Sequence, residues 1–255
     1  MNATMFRKAR VIFVITSFIA AVGLMTGPQA HGQVIINDNF ESYTTDASLT
    51  AVWPRVIGTS GDIFLIYDPT NSNQCIYETT TAGRLRQVIT GRTPTDSAPL
   101  SFSFDLYDLN GGTTSGRVYS EIRNSAAATG LFAAGIYNAV NIGTYDLTRF
   151  QARNLDGGGW IQLSTKRSAG WHNFRFVIWG STADLYVDNV LDPAFTHLSW
   201  SGNISYDWVH VGSGLTSSVG ALFDNVNLTV VPEPGFIGFG MLGFAALLTS
   251  RKLRR

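Results

Sequence analysis

The chain has 255 residues, 45% of them hydrophobic, and its 18 basic and 18 acidic residues balance to a formal net charge of zero. A single cysteine excludes an intramolecular disulfide, so a folded domain must be held by its apolar core, which a stretch of about 200 residues can bury. That residue, Cys75, lies in the apolar run QCIYE. Its setting favours a small buried residue over a nucleophile or an intermolecular bridge.

The N-terminal segment has the pattern of a secretory signal peptide. Three basic residues precede an uncharged apolar stretch, residues 11–25. Small residues at Ala30 and Gly32 suit the two positions that signal peptidase reads, which predicts cleavage before Gln33, with a cut after Ala30 as the alternative. The pattern therefore predicts export, with residues 1–32 as the signal peptide.

The middle of the chain, residues 33–230, repeats its apolar residues with a period of two. In PLSFSFDLYDL, Phe102, Phe104 and Leu106 share one face of a strand. No stretch here has a helical period. The pattern predicts an all-β fold, a two-sheet antiparallel jelly-roll sandwich. Similar runs are GRVYSEIRN, LFAAGIYNA, YDLTRFQARNL, WIQLS, WHNFRFVIWG, ADLYVDNVLD, DWVHVGS and ALFDNVNLTV, separated by turn sequences such as LNGGTTSG, LDGGG and GSTA.

Three passages of this region carry a resemblance to a known fold family. Residues 170–192, GWHNFRFVIWGSTADLYVDNVLD, resemble the paired strands of laminin-G-like and other concanavalin A-like domains. The opening NDNFESY and the closing FDNVNLTV look like the first and last strands of such domains. The resemblance implies a concanavalin A-like jelly roll and says little about activity, because one fold hosts many functions.

The last 25 residues combine a short motif, an apolar run and a basic end. The run, residues 235–250, is uncharged but shorter than the roughly 20 residues that usually span a membrane. The basic end indicates a cytoplasmic terminus, which favours a transmembrane helix over a buried helix. The motif is Val231, Pro232, Glu233 and Pro234, and the basic cluster at residues 251–255 is Arg251, Lys252, Arg254 and Arg255.

This three-part tail resembles the PEP-CTERM sorting signal of Gram-negative bacteria. Gly235 and Phe236 depart from the small polar pair that often follows the motif. The resemblance implies that an exosortase in the inner membrane recognises the motif, removes the helix and delivers the protein to the cell surface, often in cells that make exopolysaccharide. Residues 231–255 would then be the sorting signal, and the chain would be anchored in the membrane only transiently.

Without the seven basic residues of the two terminal signals, 11 basic residues face 17 acidic ones before Glu233, a net charge of about −6. An acidic domain argues against nucleic acid as a partner, and against anionic polysaccharide unless a cation bridges the two. Calcium, which binds carboxylate and carbonyl oxygens in loops, is the candidate ion, and no other cofactor is expected. Asp156 and Asp188 are candidate ligands, with ordinary turn residues as the alternative.

Catalytic motifs are missing from the predicted domain. A glycoside hydrolase needs two carboxyls on either side of the scissile bond, and Glu41, Glu78 and Glu121 stand apart with no Glu-X-Asp-X-X-Glu pattern. The three histidines of the domain have no nucleophile elbow to accompany them; they are His172, His197 and His210. His172 is expected to make a structural hydrogen bond. The chain is therefore predicted not to be an enzyme.

Carbohydrate contact is the remaining function, since aromatic rings stack on sugars while polar neighbours bind the hydroxyls. Trp160 follows three glycines, so a loop could present its ring beside Asp156 and Asn154; burial of the ring is the alternative. The sequence thus predicts an exported, non-enzymatic protein of the envelope or extracellular matrix that contacts exopolysaccharide. Its partners in transit would be signal peptidase and exosortase. A purely structural envelope protein and a polysaccharide-cleaving enzyme are the alternatives.

Overall fold

The computed structural model describes residues 32–70, 72–126, 131–138, 146–154, 159–202 and 204–231. Within these ranges the chain forms sixteen strands, one short α-helix, α1 (Asp46–Val52), and a 3-10 turn, Pro193–Phe195. The strands are β1 (Gln33–Asp38), β2 (Arg55–Ile57), β3 (Ile63–Tyr67), β4 (Gln74–Glu78), β5 (Arg84–Arg92), β6 (Leu100–Asp108), β7 (Arg117–Arg123), β8 (Leu131–Tyr137), β9 (Arg149–Arg153), β10 (Trp160–Lys166), β11 (Gly170–Ile178), β12 (Thr182–Val187), β13 (Val190–Leu191), β14 (Leu198–Ser199), β15 (Tyr206–Val211) and β16 (Ala221–Val230).

The strands form two antiparallel sheets. The nine-stranded sheet has the order β13-β12-β11-β6-β16-β4-β3, with β1 beside β16 and β14 beside β12. The seven-stranded sheet has the order β10-β9-β8-β7-β15-β5-β2. Neighbours in these orders are often distant in sequence, as in a jelly roll. The predicted all-β sandwich of two antiparallel sheets is confirmed.

The two sheets pack against each other through one apolar core. In β6, buried residues alternate with half-buried ones along the whole strand, and Phe102, Phe104 and Leu106 all point into the core, as the period of two predicts. Phe104 stacks on Phe174 of β11 at 5.4 Å between ring centroids. Phe132 supplies an aromatic ring from the seven-stranded sheet. Aromatic rings from the inner faces of both sheets thus form the core, and the outer face of each sheet does not take part in it.

Helix α1 corrects the expectation that the domain contains no helix. Thr45 caps it: the Thr45 hydroxyl accepts from the Ser48 backbone N–H at 3.1 Å, and the Ser48 hydroxyl accepts in return from the Thr45 N–H at 3.1 Å. Among its seven residues Leu49 alone is buried. A helix of two turns with one buried residue has no measurable period, so its cap was its only sequence signal.

The predicted terminal segments, residues 1–32 and 231–255, lie almost entirely outside the described residues. Gly32–Val231 forms one compact unit. Within the ranges given above, no helix is both long enough and apolar enough to cross a membrane. Val231, the first residue of the predicted motif, follows β16 directly, and its backbone N–H donates to the Pro99 carbonyl at 2.9 Å.

Candidate functional site

A row of six side chains crosses the outer face of the seven-stranded sheet. His210 of β15 lies opposite Glu121 on one side and Arg86 on the other. The register continues from Glu121 through two further strands to Trp160. The residues on either side of His210, Val209 and Val211, point into the core, so strand alternation turns the row outward. This cross-sheet row consists of Arg86, His210, Glu121, Ala133, Arg153 and Trp160.

Glu121 forms the charged centre of the row and is almost completely buried. Its Oε1 lies 2.7 Å from His210 Nδ1, 3.2 Å from Arg123 Nη1 and 3.5 Å from Arg84 Nη1. Burial alone would raise the pKa of Glu121, but the hydrogen bond from His210 and the positive charges of Arg84 and Arg123 outweigh it and lower the pKa to about 2. Glu121 is therefore a carboxylate at any physiological pH.

His210 lies beside this carboxylate with one ring nitrogen engaged. Burial lowers its pKa, although the hydrogen bond to Glu121 opposes the shift, so the imidazole is neutral near pH 7. Nδ1 then carries the proton and donates to Glu121, which leaves Nε2 as an acceptor. Nε2 is buried and has no hydrogen-bond partner among the residues that the structure describes. A hydroxyl donor is the group that would complete it.

Arg84 links the row to the other sheet. Its Nε donates to the Gly212 carbonyl at 3.3 Å, and its Nη2 donates to the Tyr119 hydroxyl at 3.3 Å and to the Ser213 carbonyl. Ser213 in turn donates from its backbone N–H and its hydroxyl to Glu78 of β4, at 3.0 and 2.8 Å. Arg84 thus holds the loop after β15 and also contacts Tyr119 and Glu121 of β7.

Glu78 and Glu121 have pKa values that are shifted in opposite directions. Complete burial raises the pKa of Glu78 to about 8, against the opposing effects of the Ser213 hydrogen bonds and Arg84. Divergent pKa values in two carboxyls are a mark of acid–base catalysis. Here, however, both Glu78 oxygens are bound by Ser213 and the side chain is 0% exposed, which makes it a structural group.

The end of the row at Trp160 is aromatic. The Trp160 ring stacks on Tyr137 at 4.0 Å between centroids and meets the edge of Tyr119 at 5.0 Å. The small residues Ala133 and Gly135 lie in β8, the strand that also carries Tyr137, and a Cβ on Gly135 would approach the Val118 carbonyl to 2.5 Å. These small residues leave room for the rings, so the cluster forms a second, smaller apolar core on the outer face.

At the other end of the row, Arg86 lies over an aromatic ring. Its guanidinium carbon is 4.3 Å from the centre of Trp208, a cation–π contact. Trp208 is half-buried, and Val88, opposite it on β5, is 63% exposed. This edge of the face presents an arginine, an indole and an exposed aliphatic side chain together.

The predicted carbohydrate site is not assembled as expected. Trp160 begins strand β10 and is 8% exposed, so the prediction that a loop presents its ring to solvent is wrong, and the burial alternative holds. Asn154 is buried, and its Nδ2 donates to the Ser199 carbonyl at 3.3 Å. Asp156 lies outside the described residues. The glycines suggested a loop, but pairing of Trp160 with Arg153 extends the sheet to this position.

The predicted calcium ligand Asp188 is a turn residue with both oxygens in use. Oδ2 lies 2.8 Å from His172 Nδ1, and Oδ1 accepts from the Asn173 N–H at 2.8 Å. Asp188 and Asn189 have φ of 52° and 65°, the geometry of a tight hairpin. His172 Nε2 also contacts the Ser168 carbonyl at 2.9 Å, so its predicted structural role is confirmed. Among the described residues, no three His, Cys, Asp or Glu side chains group around a metal position.

No family model matches the chain, and no match is found among curated proteins. Solved structures share its fold. A carbohydrate esterase from the Shiga toxin-encoding bacteriophage phi24B is similar at a TM-score of 0.55 and 12% identity, over 78% of this chain and 99% of that one.

Two further structures are similar over part of their length. A sialidase matches at a TM-score of 0.51 and 9% identity, over 78% of this chain but 19% of the sialidase. The receptor-binding domain of botulinum neurotoxin D matches at 0.50 and 12% identity, over 82% of this chain and 52% of that one. The structural similarity indicates a common sandwich fold. At sequence identities this low it says nothing about function, which has to be argued from the site.

Proposed function

We propose that the protein is an exported, non-enzymatic β-sandwich that contacts carbohydrate through the outer face of its seven-stranded sheet. The observation that carries the proposal is the cross-sheet row with the neighbouring Trp208, which brings two arginines and a half-buried indole onto one face around the buried Glu121–His210 pair. Proteins bind sugars with this combination of groups: fixed polar side chains bind the hydroxyls, and aromatic side chains stack on the apolar faces of the sugar rings. In fold terms we assign the domain to the concanavalin A-like sandwiches.

The chemistry of the row favours binding over hydrolysis. A glycosidase acid must hold a proton near neutral pH, whereas Glu121 stays ionised with a pKa of about 2. Glu78, which could hold a proton, is enclosed by Ser213. Of the six residues of the row, Glu121 alone carries a carboxyl. A binding role needs no proton from Glu121, whose buried carboxylate instead positions His210 and Arg123.

A polysaccharide-cleaving enzyme is the second candidate, and one observation favours it. A histidine oriented by a carboxylate through Nδ1, with Nε2 free to accept a proton, is the arrangement of a general base. His210 and Glu121 have this arrangement, at 2.7 Å. Turnover would appear as new chain ends that accumulate with time and that vanish in a His210→Ala variant, whereas binding produces none.

Delivery to the envelope is the other part of the proposal. We infer that signal peptidase removes residues 1–32 and that an exosortase cuts near residues 231–234, after transient anchoring in the inner membrane. Support comes from the three-part tail and from the position of Val231 at the end of the last strand. Mass spectrometry tests it: cells with exosortase should yield a form ending near residues 231–234, and alanines at 232–234 should leave the tail attached. Unchanged mass in both would overturn the sorting proposal.

The binding proposal is tested by calorimetric titration. The purified full-length chain, in mild detergent, is titrated with extracellular polysaccharide from the cells that produce the protein. Saturable heat is expected in calcium, and its loss with EDTA would identify a bridging ion. Trp208→Ala should weaken binding about tenfold, the effect of one lost aromatic contact. Tyr67→Ala removes an aromatic ring that is 64% exposed on the other sheet and should leave binding unchanged. Absence of heat for the wild type, together with no retardation in polysaccharide-containing native gels, would favour a purely structural envelope protein.

A further inference from the structure

Charge is divided unequally between the two sheets. Strands of the seven-stranded sheet carry nine basic and two acidic residues, a net of +7, whereas strands of the nine-stranded sheet carry one basic and six acidic residues, a net of −5. The domain has a net negative charge, but the strands of its seven-stranded sheet are basic overall. Its charged residues are Arg55, Arg84, Arg86, Arg92, Arg117, Arg123, Arg149, Arg153 and Lys166, with Glu121 and Asp207 as the acids.

Part of this positive charge is already used inside the protein. Arg84 and Arg123 contact Glu121 at 3.5 and 3.2 Å, and Arg84 also holds the loop after β15. These two positive charges exceed the single negative charge of the carboxylate at the centre of the face. The remaining arginines, the two of the row itself, are not needed to neutralise it.

Arg86 and Arg153 are those remaining arginines, one on each side of Glu121 in the cross-sheet row. Both are half-buried, and their Nε atoms have no hydrogen-bond partner within the described ranges. Neither forms an ion pair with any residue that the structure describes. They lie on strands β5 and β9, four strand spacings apart, or about 19 Å at about 4.8 Å per spacing. Two guanidinium groups that form no ion pair among the described residues, one of them stacked on Trp208, therefore flank the centre at the separation of several sugar units.

We propose that this face binds an anionic glycan, a chain that bears carboxylated sugars of the uronic acid class. Arg86 and Arg153 each pair with a carboxylate of the chain, while the buried Glu121–His210 pair between them holds the centre of the face. A guanidinium group suits this task because its planar donors match both oxygens of a carboxylate. The inference rests on the proposed function and names its ligand class.

Duplex DNA is the competing polyanion, and the charge distribution disfavours it. DNA carries one charge per about 1.7 Å and is bound through many basic contacts. The opposite sheet stays negative even with Glu78 protonated, because five further acidic residues face one arginine on its strands. That charge repels so dense a polymer, whereas a polyuronate has wider charge spacing. Direct pairing with arginine also removes the need for a bridging cation.

The test compares polymers that differ in charge alone. Full-length protein is titrated with polygalacturonate, with alginate and with the carboxyl-reduced, neutral form of each. At least one polyuronate should bind about tenfold or more tightly than its reduced form, and raising NaCl from about 50 to about 500 mM should remove most of that advantage. This arm needs no mutation, so folding defects cannot affect it.

Variants locate the site. Arg86→Gln and Arg153→Gln should each weaken polyuronate binding about tenfold and leave binding of the reduced polymer unchanged. Arg175→Gln is the matched control: Arg175 makes the same cation–π contact, 4.2 Å from the centre of Tyr186, but on the nine-stranded sheet. It should bind like the wild type. Thermal unfolding of all three variants checks that the sandwich is intact.

Each contrary outcome has a distinct meaning. Equal binding of the charged and reduced polymers would overturn the inference and leave the proposed carbohydrate function standing. Binding of neither would overturn the proposed function and the inference with it. A loss in Arg175→Gln as large as that in Arg86→Gln would overturn the placement on this face. Competition by duplex DNA at the same concentration would overturn the ligand class.

Discussion

Arg167 and Asp108 form a two-bonded ion pair with both side chains completely buried: Nε lies 2.7 Å from Oδ2 and Nη2 lies 3.0 Å from Oδ1. Asp108 ends β6 of the nine-stranded sheet, and Arg167 directly follows β10 of the seven-stranded sheet. Nη1 also donates to the carbonyls of Thr114 and Leu147, at 3.1 and 3.0 Å. The pair therefore joins the two sheets through a fully hydrogen-bonded charge cluster.

Removing one partner of this pair should be strongly destabilising. Arg167→Met leaves the Asp108 carboxylate buried without its cation, so we expect the free energy of unfolding to fall by about 3–5 kcal/mol. Urea denaturation followed by tryptophan fluorescence measures it. Arg149→Met is the control, since Arg149 lies 3.7 Å from a largely exposed Asp146 and should cost less than about 1 kcal/mol. Equal losses in the two variants would contradict the structural role of the buried pair.

Glu78 should make the protein less stable as pH rises. Its pKa is about 8 in the folded state and 4.5 when unperturbed, so between these values the unfolded chain loses the proton while the folded chain keeps it. The contribution of Glu78 to the free energy of unfolding is therefore fully present below pH 4.5. It falls by up to about 1.4 kcal/mol per pH unit as the pH rises to 8. Glu78→Gln retains an acceptor for Ser213 but cannot ionise.

The measurement is the free energy of unfolding by urea at several pH values between 5 and 8, for the wild type and for Glu78→Gln. The difference between the two slopes of unfolding free energy against pH isolates the effect of Glu78 from that of the other titrating groups. Glu121 does not interfere, because its contribution is lost only in acid, between its unperturbed pKa of 4.5 and its folded pKa of about 2. Parallel profiles would mean that Glu78 is ionised in the folded protein.

The sequence predicts the sandwich better than it predicts the site, for a physical reason. Core-facing residues such as Phe102 and Phe104 repeat every second position within one strand, so a local pattern reveals them. Glu121 and His210 are 89 residues apart and meet only because β7 pairs with β15. Strand order is not encoded in the period of either strand, so neither the pair nor the cross-sheet row could be predicted.

Trp160 shows the same limit in a single residue. The three glycines before it favour a loop by local chemistry. Its burial depends on Tyr137, a residue of another strand that stacks on it at 4.0 Å. Net charge has the same limit, because a sum over the chain does not reveal that nine basic residues lie on the strands of one sheet. A pattern of outward arginines and aromatics in RVYSEIR and DWVHV was the available signal.

Gly135 should not tolerate a side chain. Its φ is 146°, and an added Cβ would lie 2.5 Å from the Val118 carbonyl oxygen and 3.0 Å from the Tyr119 Cβ. We expect Gly135→Ala to lower the free energy of unfolding by about 2 kcal/mol or more, because the backbone of β7 must move. Gly61→Ala is the control, since a Cβ added at Gly61 would lie 3.8 Å from Thr59 Oγ1, an ordinary van der Waals contact. Thermal unfolding compares the two, and a neutral Gly135→Ala would contradict the close strand contact.

Cys75 should be inert in the folded protein. Its side chain is 0% exposed, and burial, with the nearby charges of Asp224 and Asp68, raises the thiol pKa to about 12. Because the thiolate is the reactive form, Ellman's reagent should label the native full-length chain negligibly and label one thiol per chain in urea. Tyr67→Cys, at a position that is 64% exposed, is the positive control and should react at once. Rapid labelling of the native wild type, or a disulfide-linked dimer on a non-reducing gel, would contradict burial and restore the reactive or bridging role.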